Sequence, residues 1–212
     1  MGKADNEGMD AEQAQKYRDF AKGAWENAVN HKEGEVIPDE EFLLSVDKDG
    51  YRHTVTTQRI RHIYKQHGNE KAEKARGQIA ITESDIELIP DIIENFTYSI
   101  RNFTYNGKKA VIYAKQGNKN TYIYIERISN KWHRKTTVTF FNLGYTRDAE
   151  SVLRMLKNSN GDVSKAEIIG VGGGGNPTST AQTESRRTVA NSVFPPDTSL
   201  SPDSAEKSMG RK

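Results

Sequence analysis

Glu126, His62, His67 and Lys115 are the side chains in this sequence whose types could move protons and hold a phosphate. A carboxylate or an imidazole serves as general base or acid near neutral pH, and a lysine stabilises the negative charge that develops between them. His62 and His67 stand in the stretch RHIYKQHGNEKAEKARGQIAIT, from Arg61 to Thr82. Five residues of helix turn through about 500°, so the two imidazoles lie about 140° apart rather than on one face. Helical zinc-binding histidine pairs sit at i, i+4, and the chain has no cysteine, so the spacing argues against a metal site. His67 falls on the side of Ile60 and Ile63, next to Gly68, where a half-buried histidine would interact with a helix C-terminus. His62 shares a more polar face with Arg59 and Gln66 and is freer to meet a phosphate. Glu126 is followed by Arg127, which leaves two readings open, a general base or half of a structural ion pair.

These groups need elements to hold them. Asp10 to Asn30 carries Tyr17, Phe20, Ala21, Ala24, Trp25 and Ala28 at helical spacing. Pro38 and Asp49-Gly50 are turn signals in the stretch that follows. Thr54 to His67 reads as a helix capped by Thr56 or Thr57 and ended by Gly68. Thr82 and Asp85 have capping-box spacing ahead of a stripe of Ile86, Ile89, Ile92, Ile93 and Phe96, with Pro90 expected to kink or divide that helix. From Tyr98 the period becomes two. YSIRNFTY, KAVIYAK, TYIYIERIS and RKTTVTFFNL are rich in strand formers and separated by the turn sequences NGKK and QGNKN. DAESVLRMLKNS supplies a closing helix. The expected fold class is α+β, with N-terminal helices packed on one face of a roughly four-stranded antiparallel sheet. Residues 1–37 form an acidic helical segment or linker, 38–158 the compact domain, and 159–212 a Gly/Ser/Thr/Pro-rich tail expected to be disordered.

Strand alternation sorts the side chains of the sheet. Ile112, Ile123, Ile125, Val138 and Phe140 form the face expected to meet the isoleucine stripe. Tyr113, Lys115, Tyr122, Tyr124, Glu126, His133, Lys135, Thr137 and Thr139 form the other, which is basic and aromatic around a single acid. Lysines meet phosphates and tyrosines stack on bases, so an open face of this kind suits RNA.

The charge is unevenly distributed. Residues 1–51 hold 6 Lys/Arg against 13 Asp/Glu, and residues 52–147 hold 17 against 8. From Arg101 to Arg147 there are ten basic residues and one carboxylate, Glu126. Such a region points to a polyanion. The apolar fraction of 34% and the mean hydropathy of −0.82 mean that a packed core occupies only part of the chain. No apolar run is long enough to span a bilayer, and the acidic N-terminus lacks the pattern of a secretory signal.

The ordered set RHIYKQHGN, RGQIAIT, DIELIPDII, VIYAK and YIYIERI, followed by a Thr-rich strand, resembles the phage-associated barnase–EndoU–colicin E5/D–RelE-like nuclease domains. These domains occur at the C-termini of phage head-morphogenesis proteins of the MuF type and of some bacterial toxins. The similarity covers roughly residues 50–147. It implies an endoribonuclease that works without metal or cofactor, with helices followed by a curved antiparallel sheet. On that pattern His62 and His67 match the histidine-bearing helix, and Arg76 and Gln78 the Arg-Gly-Gln element. Lys115 matches the basic residue that ends a strand, Glu126 the acid of the next, and Thr137 or Thr139 the Thr-x-Tyr-like element, here without its tyrosine. Arg76, Gln78, Arg127, Lys135, Tyr113 and Tyr124 are then candidates to bind RNA or its phosphates. The expected partner is RNA, with phage head or portal proteins and an acidic immunity protein as further partners and no membrane. The expected location is the virion or the host cytoplasm. A non-catalytic nucleic-acid-binding or head-structural module with the same fold is the competing reading.

Overall fold

Asp10 accepts the Gln13 N–H at 2.7 Å and so starts α1, Ala11–Asn30. The computed structural model describes residues 9–32, 35–158 and 161–170. Tyr17, Ala21, Ala24 and Ala28 form the buried side of α1, and the Tyr17 hydroxyl donates to the carbonyl of Ile86 at 2.8 Å. The helix assigned from sequence to a separate segment or linker therefore packs in the same core as Ile60, Ile63 and the isoleucine stripe.

Two strands follow, β1, Glu41–Val46, and β2, Arg52–Thr56, paired antiparallel. The Asp47 carboxylate ties their turn by accepting the N–H groups of Asp49 and Tyr51, both at 2.9 Å, and Gly50 takes φ 77°. Thr56 caps α2, Thr57–His67. The helix expected from Thr54 thus begins three residues later, because 52–54 pair in parallel with β7, Arg134–Leu143. A strand that runs straight into a helix leaves too little alternation to be read locally. Next come α3, Glu70–Ala75, and the two-residue β3, Gln78–Ile79. The stripe that follows is divided at Leu88 into α4, Glu83–Glu87, and α5, Ile89–Glu94, as Pro90 demands. Helices this short have no independent stability. Ile86, Ile89 and Ile92 are fully buried, and each such side chain contributes roughly 1.5–3 kcal/mol, enough to hold them in place.

The four strands expected from alternation form a meander of β4, Tyr98–Tyr105, β5, Lys108–Gln116, β6, Thr121–Ser129, and β7. The sheet is larger than expected. It has eight strands in the order β1-β2-β7-β6-β5-β4-β8, with β3 pairing to β7. The added strands are short, and β2 joins in parallel, so the sheet is mixed rather than antiparallel. The eighth strand, β8, Glu167–Gly170, lies within the tail expected to be disordered and pairs with β4, while residues 171–212 lie outside the described residues. The closing helix α6 is Ala149–Asn158.

The two faces of the sheet are covered in the opposite sense to the expectation. Ile112, Ile123, Ile125 and Val138 pack with Val152 and Leu156 of α6. The isoleucine stripe packs instead on Val111, Tyr113, Tyr124 and Phe140, so the face read as open lies beneath α1, α2, α4 and α5. A bulge explains why Val138 and Phe140 part company. Thr139 pairs with Ile125 but Thr137 pairs with Glu126, which leaves Val138 as the extra residue and reverses the alternation beyond it.

Candidate active site

Four neighbouring strands bring one set of polar side chains together beneath the helices. Glu126 on β6 lies opposite Thr137 on β7, and His53 on β2 lies opposite Lys135 on the other side of β7. His53 reaches across β7 so that its Nδ1 is 2.8 Å from Glu126 Oε2. Glu126 is 0% exposed and His53 2%. A carboxylate oxygen accepts from an imidazole N–H, so Nδ1 is the nitrogen that serves this bond and Nε2 is turned toward the rim. The Tyr124 hydroxyl is 3.3 Å from Glu126 Oε1 and 2.7 Å from Thr137 Oγ1, and Thr137 Oγ1 donates to the carbonyl of Thr54 at 3.1 Å. Beside the pair, Tyr113 has its ring centroid 6.0 Å from that of His53.

The rim of the cluster is charged. Asp47, on the β1–β2 turn, places Oδ2 2.5 Å from Lys135 Nζ and 3.5 Å from His53 Nε2. Lys135 Nζ is also 3.5 Å from the Tyr113 hydroxyl and 5.3 Å from the centre of the Tyr51 ring. Partial burial alone would raise the Asp47 carboxyl, but the bonds from Lys135 and the Tyr51 N–H, with the positive charge nearby, hold it below the ordinary range. Burial first, and the Glu126 charge second, push the Tyr113 and Tyr124 hydroxyls well up, so both stay protonated. The arrangement contains an oriented imidazole, a protonated phenol and an ammonium within one cluster, the parts needed for proton transfer beside an anion.

A second buried histidine–carboxylate pair sits at the other end of β7. His67 Nδ1 is 3.1 Å from Glu73 Oε2, Arg76 Nη1 pairs with Glu73 Oε1, and the same guanidinium donates to the carbonyl of Gln66 at 3.0 Å. Glu73 is 0% exposed and His67 2%, and the His67 ring stacks on Phe141 with centroids 5.5 Å apart. From Lys135 to Phe141 the strand advances about 20 Å, so the two pairs cannot act on one phosphate.

The residues singled out from sequence therefore divide. Glu126, Lys135, Thr137, Tyr113 and Tyr124 come together, and His67 and Arg76 form the second cluster. Gln78 is buried on β3 opposite Leu143, two residues after Arg76. Lys115 pairs with Asp91 of α5 and lies opposite Tyr122, four residues or about 13 Å along β6 from Glu126. Tyr122 in turn donates to Asp85 at 2.7 Å. Thr139 lies opposite Ile125 and so belongs to the α6 face, and Arg127 alternates to that face as well. His62 is half-buried on α2. The sequence reading missed His53 and Asp47. The apolar run Phe42 to Val46 before Asp49-Gly50 and the β-branched Thr54, Val55 and Thr56 after it were the available signal for a hairpin. A hairpin puts His53 on the same side as the buried Val55.

Among the described residues no three His, Cys, Asp or Glu side chains converge as a metal ion would need. Nor is any described helix long and apolar enough to cross a membrane.

The family model described as phage-Barnase-EndoU-ColicinE5/D-RelE like nuclease3 matches residues 31–146. That span contains every side chain of both clusters. No curated protein and no solved structure matches the chain.

Proposed function

The chain belongs to the phage barnase–EndoU–colicin E5/D–RelE-like nuclease 3 family, and from that premise we propose that it is a metal-independent endoribonuclease centred on His53 and Glu126. RNA carries its own nucleophile, the 2′-hydroxyl, so cleavage needs a base, an acid and a cation rather than an activated water. His53 Nε2 takes the 2′-hydroxyl proton while Glu126 holds the ring through Nδ1. The 2′-oxygen then attacks the phosphorus, and the bond to the 5′-oxygen breaks. Tyr113, kept protonated by burial, gives its proton to that leaving oxygen. Lys135 offsets the charge on the phosphorane.

The observation that carries this reading is the oriented His53–Glu126 pair whose second ring nitrogen faces the charged rim of Asp47 and Lys135. Asp47 marks where the phosphate docks. Its Oδ2 stands between Lys135 Nζ and His53 Nε2, the place where a phosphate oxygen would meet the ammonium with the 2′-hydroxyl beside the imidazole. The Asp47 side chain must therefore give way before substrate enters.

Burial of Glu126 favours a second reading, in which the network only stiffens a nucleic-acid-binding or phage-head structural module. Incubating the full chain with bulk bacterial RNA in EDTA separates the two. Cleavage by the wild type and not by Glu126→Gln supports the enzyme. Intact RNA with binding retained supports the module. An effector role in the infected cell, with an acidic immunity partner or confinement in a particle, belongs to the same proposal. Recovery of the chain from purified particles would support the virion form.

A further inference from the structure

The hairpin joining β6 to β7 carries Asn130, Lys131, Trp132 and His133, and Trp132 is 67% exposed. A tryptophan left in water on a turn needs a reason, because few residues gain more from burial. The turn is held from two sides. His133 adopts φ 43°, its carbonyl accepts the Arg52 N–H at 2.9 Å, and the Tyr51 hydroxyl donates to Asn130 Oδ1 at 3.1 Å. Lys131 Nζ stands 4.6 Å from the centre of the Trp132 ring. The Tyr51 and His133 rings meet edge to face at 5.3 Å, and Lys135 Nζ lies over Tyr51 at 5.3 Å. Trp132 is next in sequence to His133, and from His133 the contacts pass through Tyr51 to Lys135, whose partner Asp47 lies 3.5 Å from His53 Nε2. Lys48 and Arg52, on the same β1–β2 hairpin as Tyr51, are exposed.

We propose that Trp132, with His133 and Tyr51 behind it, is a stacking platform that binds the unpaired bases of a single-stranded nucleic acid beside the scissile phosphate. The inference rests on the nuclease reading and adds to it the form of the substrate. Each base offers a π-face, so stacking on an indole selects unpaired strands without selecting sequence. Bases within a duplex already stack on one another and cannot use it. Lys131 then serves the adjacent phosphate, and its position over the ring lets it shift aside when a base arrives.

The full chain titrated with a 2′-O-methylated single-stranded oligonucleotide, which cannot be cleaved, reads the platform directly. The chain contains two tryptophans, and Trp25 is half-buried against Tyr64 with centroids 5.2 Å apart. Quenching by the oligonucleotide should therefore come from Trp132 and vanish in Trp132→Phe, which keeps a stacking ring and most of the affinity. Trp132→Ala should weaken single-strand binding about tenfold and leave duplex binding of the same sequence unchanged. Unchanged single-strand affinity in Trp132→Ala would overturn the proposal, as would an equal loss for duplex. A change confined to self-association would reassign the tip to protein contact and likewise overturn it. The two readings fail separately. Quenching by the inert oligonucleotide with ordinary RNA left intact keeps the platform and removes the nuclease, and cleavage indifferent to Trp132→Ala does the reverse.

Discussion

The two ends of β7 each hold a buried histidine beside a buried carboxylate, and they differ in what closes them. At the Phe141 end the second oxygen of Glu73 is taken by Arg76, and the Arg76 guanidinium also ties down the carbonyl of Gln66. The His67 carbonyl accepts the Ile81 N–H at 2.8 Å, so the whole unit clamps α2, α3 and the segment after β3 together. At the Lys135 end the second nitrogen of His53 faces a carboxylate on a turn whose side chain is 20% exposed. One pair is sealed by a cation within its own corner, and the other is closed by a single carboxylate on the β1–β2 turn. A histidine–carboxylate pair is therefore no signature of catalysis by itself. The group facing its outer edge decides.

The largest expected effects break that comparison apart. Glu126→Gln leaves His53 in place but cannot stabilise the imidazolium formed when Nε2 takes a proton, and cleavage should fall by roughly 10²–10⁴-fold. Glu73→Gln should leave catalysis by folded protein near the wild-type rate and lower stability instead. It strands Arg76 and His67 without their carboxylate, a loss on the order of 3–5 kcal/mol for a buried pair broken on one side. Rates and urea denaturation midpoints measured on both variants test the division. If Glu73→Gln abolished cleavage at full stability, the assignment of roles to the two ends would be wrong.

The sequence showed most of the scaffold and only part of the site, for reasons visible in particular residues. The long strands from Tyr98 to Leu143 declared themselves by alternation, and the cap at Thr82 with Asp85 and the break at Pro90 by local chemistry. Local pattern could not say which face of the sheet the helices cover. Isoleucines looked like core and tyrosines like surface, yet Tyr113 and Tyr124 are buried with hydroxyls that find Lys135, Thr137 and Glu126. Nor could it foresee the bulge at Val138, which puts Thr137 beside Glu126 and sends Thr139 to the far side. His53 was hidden because its partner is 73 residues away and its strand is five residues long. The family's motif drew attention to His67 and Arg76, and geometry gives them a corner of their own.

Asp47→Asn sharpens the comparison at the Lys135 end. Without the carboxylate, Lys135 keeps its charge in a nearly buried position with no counter-ion of its own, so the variant should be less stable in a buffer free of small anions. Inorganic phosphate should then raise its melting temperature more than it raises that of the wild type, because only the variant offers the ammonium unpaired. A ligand at a hundred times its Kd adds about 2.7 kcal/mol, which makes the shift readable by calorimetry. Equal shifts in the two proteins would remove Asp47 from the phosphate position.

The smallest effect lies in acid. The Asp47 carboxyl is held below its ordinary value in the folded chain, so the unfolded chain binds more protons in the range between the two values. The stability it contributes is present above the unfolded value of about 3.9 and is lost as pH falls through the folded one. Asp91, lowered by Lys115 and Asn95 against the raising effect of partial burial, behaves in the same sense. Both side chains are partly exposed and screened by solvent, so each contribution is modest. In Asp47→Asn the acid limb of the stability curve should therefore flatten only slightly, and Lys115→Ala should flatten it by a similar amount through Asp91. Cleavage separates what stability does not. Lys115→Ala should leave the rate unchanged, whereas Lys135→Ala should lower it, since only Lys135 stands at the rim of the His53–Glu126 pair. A rate loss in Lys115→Ala as large as that in Lys135→Ala would move the phosphate toward α5 and away from the turn.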